Sequence, residues 1–395
     1  MEKKTVRDID VIGKRVLVRV DFNVPIDEKT GAIMDDSRIQ ASLPTIQYLM
    51  NHGAKVVLCA HLGRPKGGPD RKFSLVTVVP RVAGMLGKSV AFAEDCIGLE
   101  TESQINTMKN GDVLLLENVR FHPEEEKDDP DFARALARLA DIYVDDAFGT
   151  AHRNHVSIVG ITKYLPAVAG LLLEKELATL GGLLKHPVHP FGALLGGAKV
   201  SDKVALMENM LDKVDVMLVG GGMAATFLKA SGYEIGQSLF EEDRLETAMS
   251  LMKKVTSNGV RLLLPVDAIV TDEASDRGTY QVVSIENVPR DRKIVDIGPK
   301  TIEKFGSELK NCRTVFWNGP MGVYEISQFA HGTEIMAKLL AGLKASTIIG
   351  GGSTAEMVIN MGLAGKMTFV STGGGASMSF LSGEKLPGVE ALLNK

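Results

Sequence analysis

The sequence is poor in the features that mark several protein classes at once. Its 395 residues hold only three cysteines, Cys59, Cys96 and Cys312, scattered and odd in number. That spacing shows no disulfide framework and no local metal-binding motif, which suits a reducing cytoplasm. There is no excess of positive charge: 45 Lys and Arg against 49 Asp and Glu give a net charge of −4. No global field therefore draws the chain to nucleic acid or to a membrane surface, and an anion site must come from local placement of Arg and Lys. No apolar run reaches the roughly 18 residues that a membrane-crossing helix needs. The opening stretch "MEKKTVRDIDVIGKR" lacks the apolar core of a secretory signal. No segment is of low complexity.

What is present is a regular alternation. At about 100–200 residues per domain, a chain of this length makes two or three domains. "KRVLVRVDFN", "AKVVLCAH", "DVLLLENVR" and "DIYVDDAF" read as buried strands in the first half. "FGALLGG", "VDVMLVGGG", "VRLLLPVD", "TVFWNGP", "TIIGGG" and "MTFVSTGGG" do so in the second. Between them lie segments such as "PDFARALARLA", with apolar residues at helical spacing. The alternation predicts an α/β fold with parallel sheets covered on both faces. Ligands of such sheets bind at the carboxyl ends of the strands. Leu171 to Leu184 reads as a helix that Pro187 and Pro190 bring to an end, giving two α/β halves joined by a helix. The acidic run from His122 to Asp129 is expected to face solvent ahead of a helix, with no catalytic role.

Three turns in the second half share one pattern of apolar strand, three glycines, small residues and helix: "VMLVGGGMAATF", "TIIGGGSTAEM" and "TFVSTGGGASMSF". Glycine permits positive φ and close ligand approach. A helix N-terminus offers unpaired N–H groups and partial positive charge. Three such turns favour a polyanion, with the middle one also open to a purely structural reading. No Lys follows as a Walker-type loop requires. Gly220-Gly222-Ala225 and Gly350-Gly352-Ala355 match the dinucleotide pattern G-x-G-x-x-A, but neither has a well-placed acid for a ribose about 20 residues on. A dehydrogenase is thereby disfavoured. A fourth turn, "LLGGAKVSDK", supplies Lys199 and Lys203, which share one face if the segment is helical. "DIGPKT" and "WNGPMGVYE" are further strand-end turns, and Glu325 in the latter suits ribose hydroxyls or a loop cap.

The strands of the first half end differently. They deliver Asp21 and Asn23, then His61 and Arg64, then Arg120, then His152, Arg153 and His155, while Arg38 opens a helix. Arginine forks match carboxylate and phosphate oxygens. Their convergence in an acidic protein predicts a small, multiply charged anion as ligand. One half thus reads as a site for nucleotide phosphate and the other as a small-anion site, which makes phosphoryl transfer the natural reaction. There is no Ser-His-Asp arrangement and no "HRD" kinase loop. A carboxylate acceptor would need no general base.

"RVDFNVP", "HLGRPKG", "LLLENVRFHPEEE", "DDAFGTAHR", "AGLLLEKEL", "LGGAKVSDK", "VFWNGPMGVYE" and "STGGGASMSFLSG" closely resemble the phosphoglycerate kinase family, in order from about Val16 to Leu392. The resemblance implies two Rossmann-like domains with parallel sheets joined by a hinge helix. It implies an N-terminal domain over 1–170, a connecting helix over 171–186, a C-terminal domain over 187–380, and a segment 381–395 that returns to the N-terminal domain. The implied reaction is 1,3-bisphosphoglycerate plus ADP to 3-phosphoglycerate plus ATP, with Mg²⁺, in a cytoplasmic monomer. Asp21, Phe22, Asn23, Arg38, His61, Leu62, Gly63, Arg64, Arg120 and Arg153 are implied to hold the phosphoglycerate. Lys203, Gly298, Glu325, Gly350, Gly351, Gly352, Ser353 and Thr354 are implied to hold the nucleotide. Arg38, Lys199, Lys203, Gly373, Gly374 and Gly375 would surround the phosphoryl group in flight. The sequence departs from the family where its metal-binding aspartate is replaced by Ser353, with Glu356 one helical turn further on as a substitute carboxylate. Asn154 and Tyr324 replace a common Ala and a usual Phe. A non-catalytic binding protein on the same scaffold is the remaining alternative.

Overall fold

The structure is a computed structural model that describes residues 2–66 and 68–395. The chain divides into two units. The first runs up to Ala178 and takes in Lys385–Lys395, and the second is Thr179–Glu384. The division falls inside a continuous helix, Leu171–Lys185. Its start is tied to the first unit: Asp146 Oδ1 accepts from the N–H groups of Leu172 and Leu173 at 2.9 and 3.3 Å, and Thr45 Oγ1 from that of Leu171 at 2.9 Å. The segment that joins the first unit begins at Lys385 rather than at 381. Leu381 still ends a helix of the second unit, and its carbonyl accepts from Asn209 Nδ2 at 2.8 Å.

The first unit is built on six parallel strands: β1 (Arg15–Arg19), β2 (Lys55–Cys59), β3 (Ala91–Ala93), β4 (Val113–Leu116), β5 (Ile142–Asp145) and β6 (Ala167–Ala169). They lie in the order β3-β4-β2-β1-β5-β6. The central strands are runs of Val, Leu and Ile buried on both faces, as a sheet sandwiched between helices requires. Each such side chain contributes about 1.5–3 kcal/mol on full burial. β3 and β6 escape a sequence reading because they are three residues long and rich in alanine. The C-terminal segment closes on the same unit: Leu393 N–H donates to Ala167 O at 3.0 Å, and Lys4 N–H to Leu393 O at 2.8 Å. The acidic run does not all face water. Glu125 is 1 % exposed and accepts from the Ser157 N–H at 2.9 Å and hydroxyl at 2.5 Å.

The second unit carries β7 (Phe191–Leu195), β8 (Val216–Val219), β9 (Arg261–Leu263), β13 (Thr314–Asn318), β14 (Ser346–Gly350) and β15 (Phe369–Val370) in one parallel sheet, ordered β15-β14-β13-β7-β8-β9. A second sheet was not expected. β10 (Asp267–Thr271) pairs antiparallel with both β11 (Tyr280–Ser284) and β12 (Lys293–Ile297). Only residues 272–279 separate β10 from β11, too few for the crossover that parallel pairing demands.

In both large sheets a central strand marks the reversal of strand order. β1 sits between β2 and β5, and β7 between β13 and β8. The crevice beyond the carboxyl ends of these strands is where open α/β sheets hold ligands.

Candidate functional site

In the first unit the loop after β1 carries Asp21, Phe22 and Asn23. Asp21, 3 % exposed, forms an ion pair with Arg38 from the start of helix Ser37–Asn51 and accepts the Asn23 N–H at 3.1 Å. Asn23 Oδ1 accepts the Gly63 N–H at 2.8 Å, and Gly63 O accepts from Arg120 Nη1 at 2.8 Å. Asn118, after β4, donates to Leu62 O at 2.8 Å and accepts the Arg120 N–H at 3.0 Å. Asp21, Asn23, Arg38, Leu62, Gly63 and Arg120 are therefore one bonded constellation assembled from four chain segments. Phe22 and Leu62 are buried beneath it.

His61 lies at the centre of this cationic group. Burial and the charges of Arg19, Arg120, Arg153 and Arg38 hold its pKa well below the usual histidine range. Arg19, which a sequence reading passes over as a strand residue, is only 1 % exposed. Its fork donates to Ser157 Oγ at 2.8 Å and Val20 O at 2.6 Å, and its Nη2 lies 3.0 Å from His61 Nδ1. A guanidinium has no acceptor, so Nδ1 accepts and the proton of neutral His61 resides on Nε2. The charge of Arg19 is offset by Glu125 and Asp145. Burial raises both carboxyls, Asp145 to about 6, and the arginine acts against that rise. His155 is lowered to about 4 by burial and by Arg120 and Arg153. Arg64 stands apart: it is exposed and lines a polar groove with Glu28, Lys66, Arg71 and Lys72.

In the second unit the "GGAKVSDK" segment is not helical, because helix Val204–Met210 begins only after Lys203. Lys199 and Lys203 therefore share no helical face, and Lys199 is exposed. Lys203 turns inward instead. Its Nζ bonds to Asn318 Oδ1 at the end of β13 and lies 3.8 Å from Met378 Sδ. Burial lowers its pKa to about 8. Asn318 is a site residue that sequence reasoning missed; the signal available was a polar side chain closing the apolar run "TVFWN". Its Nδ2 is buried without a partner. A Cβ placed on Gly351 would come within 2.7 Å of that atom, so the amide donor lies directly under the Gly350–Gly352 turn.

The three glycine turns differ once folded. Gly351 has φ +88°, and Gly374 has φ +50° with open space around it, the nearest atom to an added Cβ being Gly352 N at 4.0 Å. These two turns adjoin, and helices Gly352–Asn360 and Gly375–Leu381 start from them. The Gly220–Gly222 turn is packed shut, with Gly197 N and Pro320 O each 2.6 Å from where a Gly221 Cβ would lie. The first turn is thus a structural one, packed against backbone. Thr354 also turns inward: 1 % exposed, its hydroxyl accepts the Gly319 N–H at 2.7 Å, so its side chain belongs to the packing. Gly298 starts helix Pro299–Lys310 against the Asp267 carboxylate, which accepts the N–H groups of Lys300 and Thr301 at 3.0 and 2.8 Å. Ser353, Glu325 and Glu356 are exposed. Both carboxylates, after burial, contribute to raising the pKa of Tyr324.

Two doubly wound units, one with a buried arginine and histidine cluster and one with glycine turns over an unpaired amide and a lysine, define a phosphotransferase class. The phosphoglycerate kinase family model matches residues 6–384. The phosphoglycerate kinase of Pelotomaculum thermopropionicum is 54 % identical over 395 residues, covering 100 % of both chains. That of Moorella thermoacetica is 52 % identical with the same coverage. Among solved structures, phosphoglycerate kinase from Coxiella burnetii is similar with a TM-score of 0.87 and 39 % identity, covering 98 % of each chain. That from Pyrococcus horikoshii gives 0.85 and 33 %, also covering 98 % of each chain. The chain belongs to the phosphoglycerate kinase family. It is a phosphotransferase of glycolysis and not a dehydrogenase.

Proposed function

We propose that the first unit holds 3-phosphoglycerate or 1,3-bisphosphoglycerate, that the second holds ADP or ATP, and that the phosphoryl group passes between them directly and in line. The observation that carries this reading is the unpaired Asn318 amide beneath the Gly350–Gly352 turn, with Lys203 bonded to the same side chain. A buried donor without a partner costs about 1–3 kcal/mol, and a phosphate oxygen would satisfy it.

In the first unit, Arg38, Arg120 and Arg153 neutralise the phosphoglycerate, with Arg64 at the outer edge. Asp21 and Asn23 orient the loop, and His61 offers a neutral Nε2–H donor. The attacking atom is a carboxylate oxygen, so no general base is required. In the second unit the Gly350–Ser353 turn and Lys203 take nucleotide phosphates, Gly298 borders the nucleotide, and Glu325 accepts from ribose hydroxyls. Lys203, Lys199, Arg38 and the Gly373–Gly375 turn offset the charge that builds on the moving phosphoryl group. An incoming phosphate raises the Lys203 pKa again, since it replaces burial by attraction. A closing motion with both ligands bound brings donor and acceptor into line and excludes water. Solution scattering tests that motion, with compaction expected only when both ligands are present.

The family implies Mg²⁺. The exposed Ser353 hydroxyl and Glu356 carboxylate, on the first turn of helix Gly352–Asn360, suit a hard cation shared with nucleotide phosphates and water. The ion would supply neutralisation of phosphate charge. We place the enzyme in the cytoplasm as a monomer, as its family implies; separately, among the described residues no helix is long and apolar enough to cross a membrane. A coupled assay with ADP and 1,3-bisphosphoglycerate tests the activity. ATP formation is expected, and its absence in folded protein contradicts the reading.

A further inference from the structure

Three side chains outside both sites bring a sulfur, a nitrogen and an oxygen together. Asp95 and Cys96 follow β3, and His122 ends the short turn Val119–Phe121 that follows β4. β3 and β4 are neighbouring parallel strands, so their outgoing loops lie side by side. A carboxylate oxygen of Asp95, Sγ of Cys96 and a ring nitrogen of His122 all lie within 4.8 Å of one another. His122 Nε2 is 2.7 Å from Asp95 Oδ1, and the Cys96 backbone N–H donates to the same oxygen at 2.6 Å. The imidazole is held flat against Phe132, with centroids 5.1 Å apart and planes at 26°. Burial is graded: Cys96 is fully buried, whereas the His122 and Asp95 side chains are 27 % and 54 % exposed. The sulfur thus forms the floor, and the solvent side is open to a further ligand.

We propose that Asp95, Cys96 and His122 form a binding site for one transition-metal ion of the Zn²⁺ class, at the carboxyl edge of the first unit's sheet. A thiolate, imidazole and carboxylate set is the donor chemistry of zinc and cobalt rather than of Mg²⁺ or Ca²⁺. Donors on a tetrahedral zinc ion sit roughly 3.4–3.7 Å apart, so the group needs only small side-chain adjustments. Binding exchanges the thiol proton of Cys96 for the metal and releases that proton to solvent, with no change of oxidation state. Water fills the fourth position. His122 is two positions beyond Arg120 and ends the same turn, so an occupied site restrains the segment that presents Arg120. This second consequence rests on the assignment of Arg120 to the phosphoglycerate.

Metal-free full-length protein titrated with Co²⁺ alone should bind one equivalent and show a thiolate-to-cobalt charge-transfer band. Zn²⁺ alone should abolish the band by competition. Cys96→Ser should lose the band, and His122→Gln should weaken binding about tenfold or more. Cys59→Ser and Cys312→Ser should keep it. Retained metal-free activity shows that the Cys96 and His122 variants are folded. Absence of the band, or its persistence in Cys96→Ser, overturns the site. For the coupling, 3-phosphoglycerate affinity measured by calorimetry should change several-fold with one equivalent of Zn²⁺ in the parent and not in His122→Gln. An unchanged affinity overturns the coupling. A failure of the Arg120 assignment is read separately, as normal 3-phosphoglycerate binding by Arg120→Ala without metal.

Discussion

In the reading proposed above, the two units solve the same problem, holding an anion at the switch point of a doubly wound sheet, with different materials. The first uses side chains, Arg38, Arg120 and Arg153 around a neutral His61 that the buried Arg19 holds in place. The second uses backbone turns at Gly350–Gly352 and Gly373–Gly375, one buried lysine and the Asn318 amide. Individual buried carboxylates differ in what they face, although Asp146 of the first unit, like Asp296 of the second, is met only by N–H and hydroxyl donors and is raised by burial. Glu125 and Asp145 face the charge of Arg19, whereas Asp296, 2 % exposed, receives only the N–H groups of Gly332 and Ile297 at 2.7 and 2.8 Å. A compact anion of fixed shape is matched by rigid, permanently charged forks. A polyphosphate is matched by N–H groups that can be approached only where Cβ atoms are missing.

The largest effect should come from the arginine cluster. Arg38→Ala is expected to lower kcat by about 10²–10³-fold while changing phosphoglycerate binding much less, as for a donor that acts on the transition state. Steady-state kinetics beside calorimetry reads the two quantities separately. A raised KM at normal kcat would make Arg38 an ordinary binding residue and blur the contrast between the units.

The uncompensated carboxyl of the second unit comes next. Burial raises the Asp296 pKa from 3.8 to about 7, so the folded state holds this proton more tightly than the unfolded state. The stabilisation that follows is complete below pH 3.8 and is lost as pH rises through about 7. Relative to the parent, Asp296→Asn should therefore gain roughly 2–4 kcal/mol between pH 4 and pH 8. The chain has one tryptophan, Trp317, buried in the second unit, so its fluorescence in denaturant titrations follows that unit alone. A stability difference independent of pH would show Asp296 to be ionised and compensated.

A backbone change should follow. Gly351→Ala places a Cβ at φ +88° and 2.7 Å from Asn318 Nδ2, and should cost about 1–2 kcal/mol of stability in the second unit. Calorimetry should show weakened ADP binding and intact 3-phosphoglycerate binding. The smallest expected effect concerns the metal. Ser353→Asp should lower the Mg²⁺ concentration for half-maximal activity a few-fold, and Glu356→Gln should raise it. If neither substitution moves the titration, the ion is held by phosphates and water alone.

The parallel sheets and the residue types at their strand ends were legible because long apolar runs and glycine turns are local signals. The β10–β12 sheet was not legible: the run "YQVVS" is largely exposed and its pairing is set by a short hairpin rather than by its own pattern. Lys199 and Lys203 illustrate the same limit. Their spacing suits a helix, but the helix starts after them, and it is Asn318, distant in sequence, that fixes Lys203. Arg19 was missed because an arginine inside a strand reads as surface, and only the fold shows it bonded to His61. Glu125 was hidden inside an acidic run for the same reason, its partner Ser157 lying far along the chain.

Single-ligand calorimetry on Arg153→Ala and Lys203→Met tests the division of labour most directly. Arg153→Ala should weaken 3-phosphoglycerate binding about tenfold or more, the worth of one charge-assisted contact, and leave ADP binding unchanged. Lys203→Met should do the reverse. If either variant loses both ligands equally, or each loses the ligand assigned to the other unit, the assignment of one anion to side-chain forks and the other to backbone turns is contradicted.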